Sequence, residues 1–68
     1  MVRLWRSKAL REVGNNAESR TLRVDFLGGG SYEYLDVGPE VYDGLTHSGH
    51  PWTEWRERIL EHEYRRLS

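Results

Sequence analysis

The stretch Thr21-Leu22-Arg23-Val24-Asp25-Phe26 alternates polar and apolar side chains without a fault, and after Leu27 comes Gly28-Gly29-Gly30. Side chains two apart share one face of a strand, so Leu22, Val24 and Phe26 belong to a buried face and Thr21, Arg23 and Asp25 to a wet one. The glycine run tolerates the positive φ angles of a tight turn, and Tyr32-Glu33-Tyr34-Leu35-Asp36-Val37 reads as the returning strand of a β-hairpin. Upstream, Ala9 to Val13 reads as another strand, joined to the hairpin through the turn-prone Gly14-Asn15-Asn16. The pattern predicts a three-stranded antiparallel meander.

Beyond Val37 the signals become helical. Gly38-Pro39-Glu40 places Pro at a first helical position and an acid in the first turn, with Val41 and Leu45 four apart on one side and Gly44 keeping the helix short. Ser48-Gly49-His50-Pro51 breaks it, and a second helix is expected from about Pro51 to Arg66. Trp52, Trp55 and Ile59 fall on one stripe of that helix, with Leu60, Tyr64 and Leu67 on a neighbouring one. Glu54 with Arg58, and Glu61 with Arg65, are four apart in the order that favours ion pairing. The fold class expected is α+β: a three-stranded antiparallel β-meander, a short helix, and a longer C-terminal amphipathic helix packed on the sheet.

At 68 residues the chain reads as a single domain over 1–68. A core of this size rarely supplies more than about 3–5 kcal/mol. With no cysteine there is no disulfide to add to it, no thiolate metal knuckle and no Cys nucleophile. No apolar stretch approaches the ~18 residues of a membrane span, and Arg interrupts the apolar residues from Met1 to Arg11, so a cytoplasmic protein without a membrane partner is expected.

The formal net charge of −1 conceals a division along the chain. Residues 1–24 carry six Lys/Arg against two Asp/Glu, whereas Val24 to Trp55 contains no Lys or Arg. An anionic partner would therefore be held by the N-terminal third, through Arg6, Lys8, Arg11, Arg20 and Arg23, with help from Arg65 and Arg66 at the tail. Chemistry finds less support. His47 and His50 straddle the break between the helices and meet no zinc-ligand spacing. The glycine run lacks a following Lys-Ser/Thr and leads into a strand. No Ser/His/acid arrangement is visible. A non-enzyme is expected, with no catalytic residue, no metal, no cofactor and no small-molecule substrate.

Val13-Gly14, Leu22-x-Val24-x-Phe26, the glycine turn, Tyr32-x-Tyr34, Val37-x-Pro39-Glu40-Val41-Tyr42, and Ser48-x-His50 followed by Trp52 together resemble the KTSC family. That small domain is named for its place at the C-terminus of some lysyl-tRNA synthetases, and it also stands alone in bacteria and phages. The resemblance spans about Ser7 to Ile59 and leaves about 60–68 as a C-terminal helical extension. The chain departs from the family at Gly14-Asn15-Asn16, where Gly-Tyr-Asp is common, and at Pro51-Trp52, where an aromatic run is common. The family has no established activity, and what the resemblance implies is RNA binding as a suggestion.

The hairpin register decides what the Tyr-x-Tyr pair does. A two-residue Gly28-Gly29 turn sets Phe26 opposite Ser31 and Leu22 opposite Leu35. Leu35 and Val37 then join the core, while Tyr32 and Tyr34 stand on the opposite face beside Arg23, their rings about 7 Å apart. A loop of all three glycines instead sets Phe26 opposite Tyr32 and turns the tyrosines inward. The first register gathers more apolar side chains on one face and is the one favoured here. Two functions follow. One is a binding module for a protein partner or a second copy, through Trp52, Trp55 and Tyr64 or through the free edge of the sheet. The alternative is a module for single-stranded RNA, with Tyr32 and Tyr34 stacking on bases and Arg6, Lys8, Arg11, Arg20 and Arg23 on phosphates.

Overall fold

The computed structural model describes residues 2–67; Met1 and Ser68, the ends of the span read as one domain, lie outside it. In chain order the elements are β1 (Val2–Arg3), β2 (Leu10–Asn16), β3 (Thr21–Phe26), β4 (Ser31–Tyr34), α1 (Pro39–His47), α2 (Pro51–Leu60) and β5 (Tyr64–Arg66). The strands make one antiparallel sheet in the order β1-β2-β3-β4-β5. The class is α+β as the pattern predicts. The three-stranded meander is its centre, and the sheet has five strands.

The two added strands are too short for a period-2 signal. β1 pairs Val2 with Val13 and Arg3 with Glu12. β5 replaces the last part of the expected helix, which ends at Leu60. The N–H of His62 turns back to the carbonyl of Ile59 at 3.1 Å, the N–H of Leu35 donates to the carbonyl of Glu63 at 2.7 Å, and Tyr64, Arg65 and Arg66 lie opposite Tyr34, Glu33 and Tyr32. The outer edge of β4 would otherwise present unpaired backbone groups, and satisfying them outweighs the helix propensity of a Glu/Arg-rich tail. The helical extension expected over 60–68 is thus corrected: beyond Leu60 the described residues form a turn and a strand. Arg65 is paired across the sheet with Glu33 instead of along a helix with Glu61.

Strand boundaries move for similar reasons. β2 runs through Gly14-Asn15-Asn16, and the turn falls on residues 17–20, where the Asn16 side-chain oxygen accepts the N–H groups of Glu18 at 3.1 Å and Ser19 at 3.4 Å. A bulge between Leu10 and Glu12 lets Leu10 and Val13 both face inward, opposite Phe26 and Val24.

The favoured hairpin register is overturned. Asp25 lies opposite Ser31, Val24 opposite Tyr32, Arg23 opposite Glu33 and Leu22 opposite Tyr34. The N–H of Phe26 donates to Gly30 and that of Gly29 to Phe26, both at 3.1 Å, so the loop is Leu27-Gly28-Gly29. Gly29 at φ 104° and Gly30 at φ 92° supply the left-handed backbone that such a three-residue connection demands. Tyr32 and Tyr34 therefore share the inner face with Leu22, Val24 and Phe26, the facing that the three-glycine alternative gave. Glu33 explains the choice, because this register turns its carboxylate to water and to Arg65, whereas the favoured one placed it at the edge of the core.

Among the described residues ten apolar side chains close the core: Leu4, Leu10, Val13, Leu22, Val24 and Tyr34 from the sheet side, then Val37, Val41, Leu45 and Ile59. Val37 joins it as expected, and Leu35 is half-buried. The helices pack on this face alone. The opposite face carries Arg23, Asp25, Glu33 and Arg65, with Arg23 and Asp25 paired at 3.2 Å.

Candidate functional site

Where the inner face runs out past the helices, rings accumulate. Phe26 meets Tyr32 edge-on at 5.6 Å between ring centres and Trp52 edge-on at 5.2 Å. Tyr64 meets Tyr32 at 5.6 Å and Tyr34 at 5.8 Å. With Gly29 and Leu60 these rings line an open groove of about 350 Å³. Tyr34 is its floor, buried to 4% exposure, and Tyr64 its outer wall at 59%. The Arg66 guanidinium stands 5.9 Å from the Tyr32 ring centre, across the β4–β5 pair.

A second hollow of about 250 Å³ lies at the start of α2, lined by Arg6, Ser7, Lys8 and Ala9 on one side and His50, Pro51, Trp52 and Thr53 on the other. Leu27 donates its N–H to the carbonyl of Ala9 at 2.9 Å, which ties the hairpin tip to this cleft. Trp52 lines both hollows. Neither is lined by a single Asp or Glu, although the chain holds eleven.

Of the residues singled out from sequence, Tyr32, Tyr34, Trp52 and Tyr64 meet in the groove, and Arg6 and Lys8 in the cleft. The tyrosines do so from the inner face and not from the face carrying Arg23. Arg23 is held by Asp25 there, Arg20 is paired with Asp36 at 3.2 Å, and Arg11 is exposed; none of the three lines either hollow. Trp55 packs against Gly44 of α1 and under the Arg58 guanidinium, 5.2 Å from the ring centre, and so joins the helices together. Phe26 and Leu60 are absent from the sequence-derived site, and Arg66 enters it only as a tail cation. Phe26 follows from the alternation once the register is known, whereas the place of Arg66 beside Tyr32 follows only from the β5 pairing. The Ser48-x-His50 pair closes the loop between the helices: Ser48 accepts the N–H of His50 at 3.1 Å and donates to Glu54, which takes Glu54 away from Arg58. Among the described residues no three His, Cys, Asp or Glu side chains gather as metal ligands, and no helix is long and apolar enough to cross a membrane.

The family model described as the KTSC domain matches residues 6–64. The chain belongs to the KTSC domain family. The match reaches Tyr64, so the family region extends past Ile59, where the resemblance read from sequence stopped. A KTSC domain protein from Yersinia pestis shares the fold, with a TM-score of 0.84 at 19% identity over 91% of this chain and 89% of that one. No curated protein matches the chain.

In this KTSC domain the Tyr34 phenol is pushed above its ordinary value of 10, first by burial and then by charge interaction with the neighbouring Tyr32 and Tyr64. Above pH about 10 the unfolded chain gives up this proton before the folded one does, so the unfolded state binds fewer protons and stability falls as pH rises. Thermal melts between about pH 9 and 11 should therefore show a downward slope that Tyr34→Phe reduces, with little difference between the two proteins near neutrality. An identical alkaline slope in the variant would place the effect elsewhere.

Proposed function

We propose that this KTSC domain binds single-stranded RNA along the path formed by the aromatic groove, Trp52 and the Arg6–Lys8 cleft. The observation that carries this reading is the junction at Trp52: a ring-lined groove runs into a cationic cleft, and no carboxylate of a described residue lines either one in a chain whose net charge is −1. Binding to single strands needs rings on which bases stack and cations that track phosphates, and it needs no sequence-specific readout. Arg6 and Lys8 make no ion pair with a described residue, so phosphate contact would not have to displace an internal partner.

Protein association has less behind it. The sheet edges that the three-strand reading left free are taken by β1 and β5, each no longer than three residues. The stripe of Trp52, Trp55 and Tyr64 is divided among the groove, the α1–α2 contact and a strand.

Fluorescence anisotropy of a labelled oligouridylate tests the reading. With Arg6, Lys8 and Arg66 on phosphates, the affinity should fall with salt at a log–log slope of about −2, and Arg6→Ala with Lys8→Ala should flatten it towards about −0.7. Tyr64→Ala, at an exposed position, should weaken binding about fivefold or more by losing a stacking ring. The reading fails if the oligonucleotide does not bind at about 50 mM salt, or binds equally well after both cations are removed. Concentration-dependent dimers in light scattering without RNA binding would favour association instead.

A further inference from the structure

Trp5 is 81% exposed, the most exposed of the large apolar side chains described. An exposed tryptophan is informative because this residue is on average highly buried. The segment beneath it is firmly held. Leu4 is in the core at 7% exposure, the N–H of Ser7 closes a turn on the Leu4 carbonyl at 3.3 Å, and the Ser7 hydroxyl accepts the N–H groups of Ala9 at 3.1 Å and Leu10 at 2.9 Å. Trp5 and Arg6 are the two corner residues of that turn. The Arg3 guanidinium lies 4.4 Å from the centre of the Trp5 ring, which orients the indole from one side. Arg3, Arg6, Lys8 and Arg11 surround it in sequence, and no acid occurs before Glu12.

We propose that Trp5 is a further base-stacking platform, extending the RNA path from the cleft of Arg6 and Lys8 onto the β1–β2 turn. This rests on the reading above. A braced turn that displays an indole beside Arg6 and Lys8, which make no ion pair with a described residue, offers an apolar face to a base and positive charge to the phosphates on either side of it. Those two properties together suit a single strand better than an apolar partner surface, which would leave the cations desolvated. Trp5 precedes the residues that the family model matches, so it is a feature of this chain outside the matched 6–64 span.

The full chain with Trp5→Ala should melt within a few degrees of the parent, because the side chain lies outside the core, yet bind the labelled oligouridylate at least about fivefold more weakly. Its salt slope should be unchanged, since no charge is lost, and Trp5→Tyr should recover most of the affinity. In the parent, the indole N–H signal absent from Trp5→Tyr should shift on adding the oligonucleotide. Binding by Trp5→Ala within twofold of the parent, or an unmoved indole signal, overturns the platform and leaves the groove-and-cleft reading standing. No binding by the parent overturns both, as does Trp5-dependent binding to phosphatidylserine vesicles without any to RNA.

Discussion

Ile59→Ala is expected to leave this KTSC domain largely unfolded at room temperature. Ile59 is fully buried, and apart from Pro51 it is the only buried residue of α2. Truncating a buried Ile costs about 2–5 kcal/mol, set by the lost transfer energy and by the cavity that remains. The core of a chain this small supplies no more than about 3–5 kcal/mol. Those two ranges overlap, so one substitution consumes most or all of the margin. The effect reaches the site as well. α2 carries Trp52 and Leu60 on the groove wall, and the chain turns from its end into β5, which brings Tyr64. Far-UV circular dichroism should show either loss of the cooperative transition or a drop in Tm of ten degrees or more, at about 4–8 °C per kcal/mol for a domain of this length. Leu60→Ala is the matched control: the residue lies one position on but is 53% exposed, and its loss should change stability by no more than about 0.5 kcal/mol. A drop below about 5 °C for Ile59→Ala would mean that α2 is held chiefly by its tryptophans.

The contrast between Ile59 and Leu60 also marks how far periodicity reaches. Leu22, Val24, Val37, Val41, Leu45 and Ile59 were readable as core because burial imposes a period of 2 on strands and 3.6 on helices, and the alternation around β3 and the stripe on α2 are long enough to display it. β1 and β5 span two and three residues and cannot display any period. They form because the edges of β2 and β4 have backbone groups to satisfy, a demand that is not local to their own sequence. The site was half-legible for the same reason. Tyr32, Tyr34 and Trp52 are visible in the sequence as rings and Arg6 and Lys8 as cations, but their meeting depends on the three-residue loop Leu27-Gly28-Gly29 in place of a two-residue Gly28-Gly29 turn. One residue of register reverses the face of every side chain on β4. Arg23, which looked adjacent to the tyrosines, is on the far side of the sheet as a result.

Gly44→Val should rank with Ile59→Ala in its effect, for the opposite reason. A helix-interior glycine costs about 1 kcal/mol relative to alanine, so propensity alone predicts that filling this position stabilises the protein. Gly44 does not end α1, which continues to His47. Its value lies in the missing side chain: a Cβ built there would collide with Cζ2 and Cε2 of Trp55. These atoms are part of a rigid ring lodged between two helices, so the collision cannot be relieved by swinging a flexible end aside. Either Trp55 leaves its place, exposing the α1–α2 seam, or the helices separate. Overpacking of this kind costs about 1–3 kcal/mol for small insertions, and the two γ-carbons of valine take it beyond that range. Gly44→Ala should fall between, with the steric term opposing the propensity gain. Trp55→Phe supplies the decisive comparison, since a smaller ring makes room for the added carbon. In a double-mutant cycle the pair should recover about 0.5–3 kcal/mol relative to the sum of the single changes. A Tm for Gly44→Ala above that of the parent, or no coupling to Trp55→Phe, would show that the helices do not need the notch.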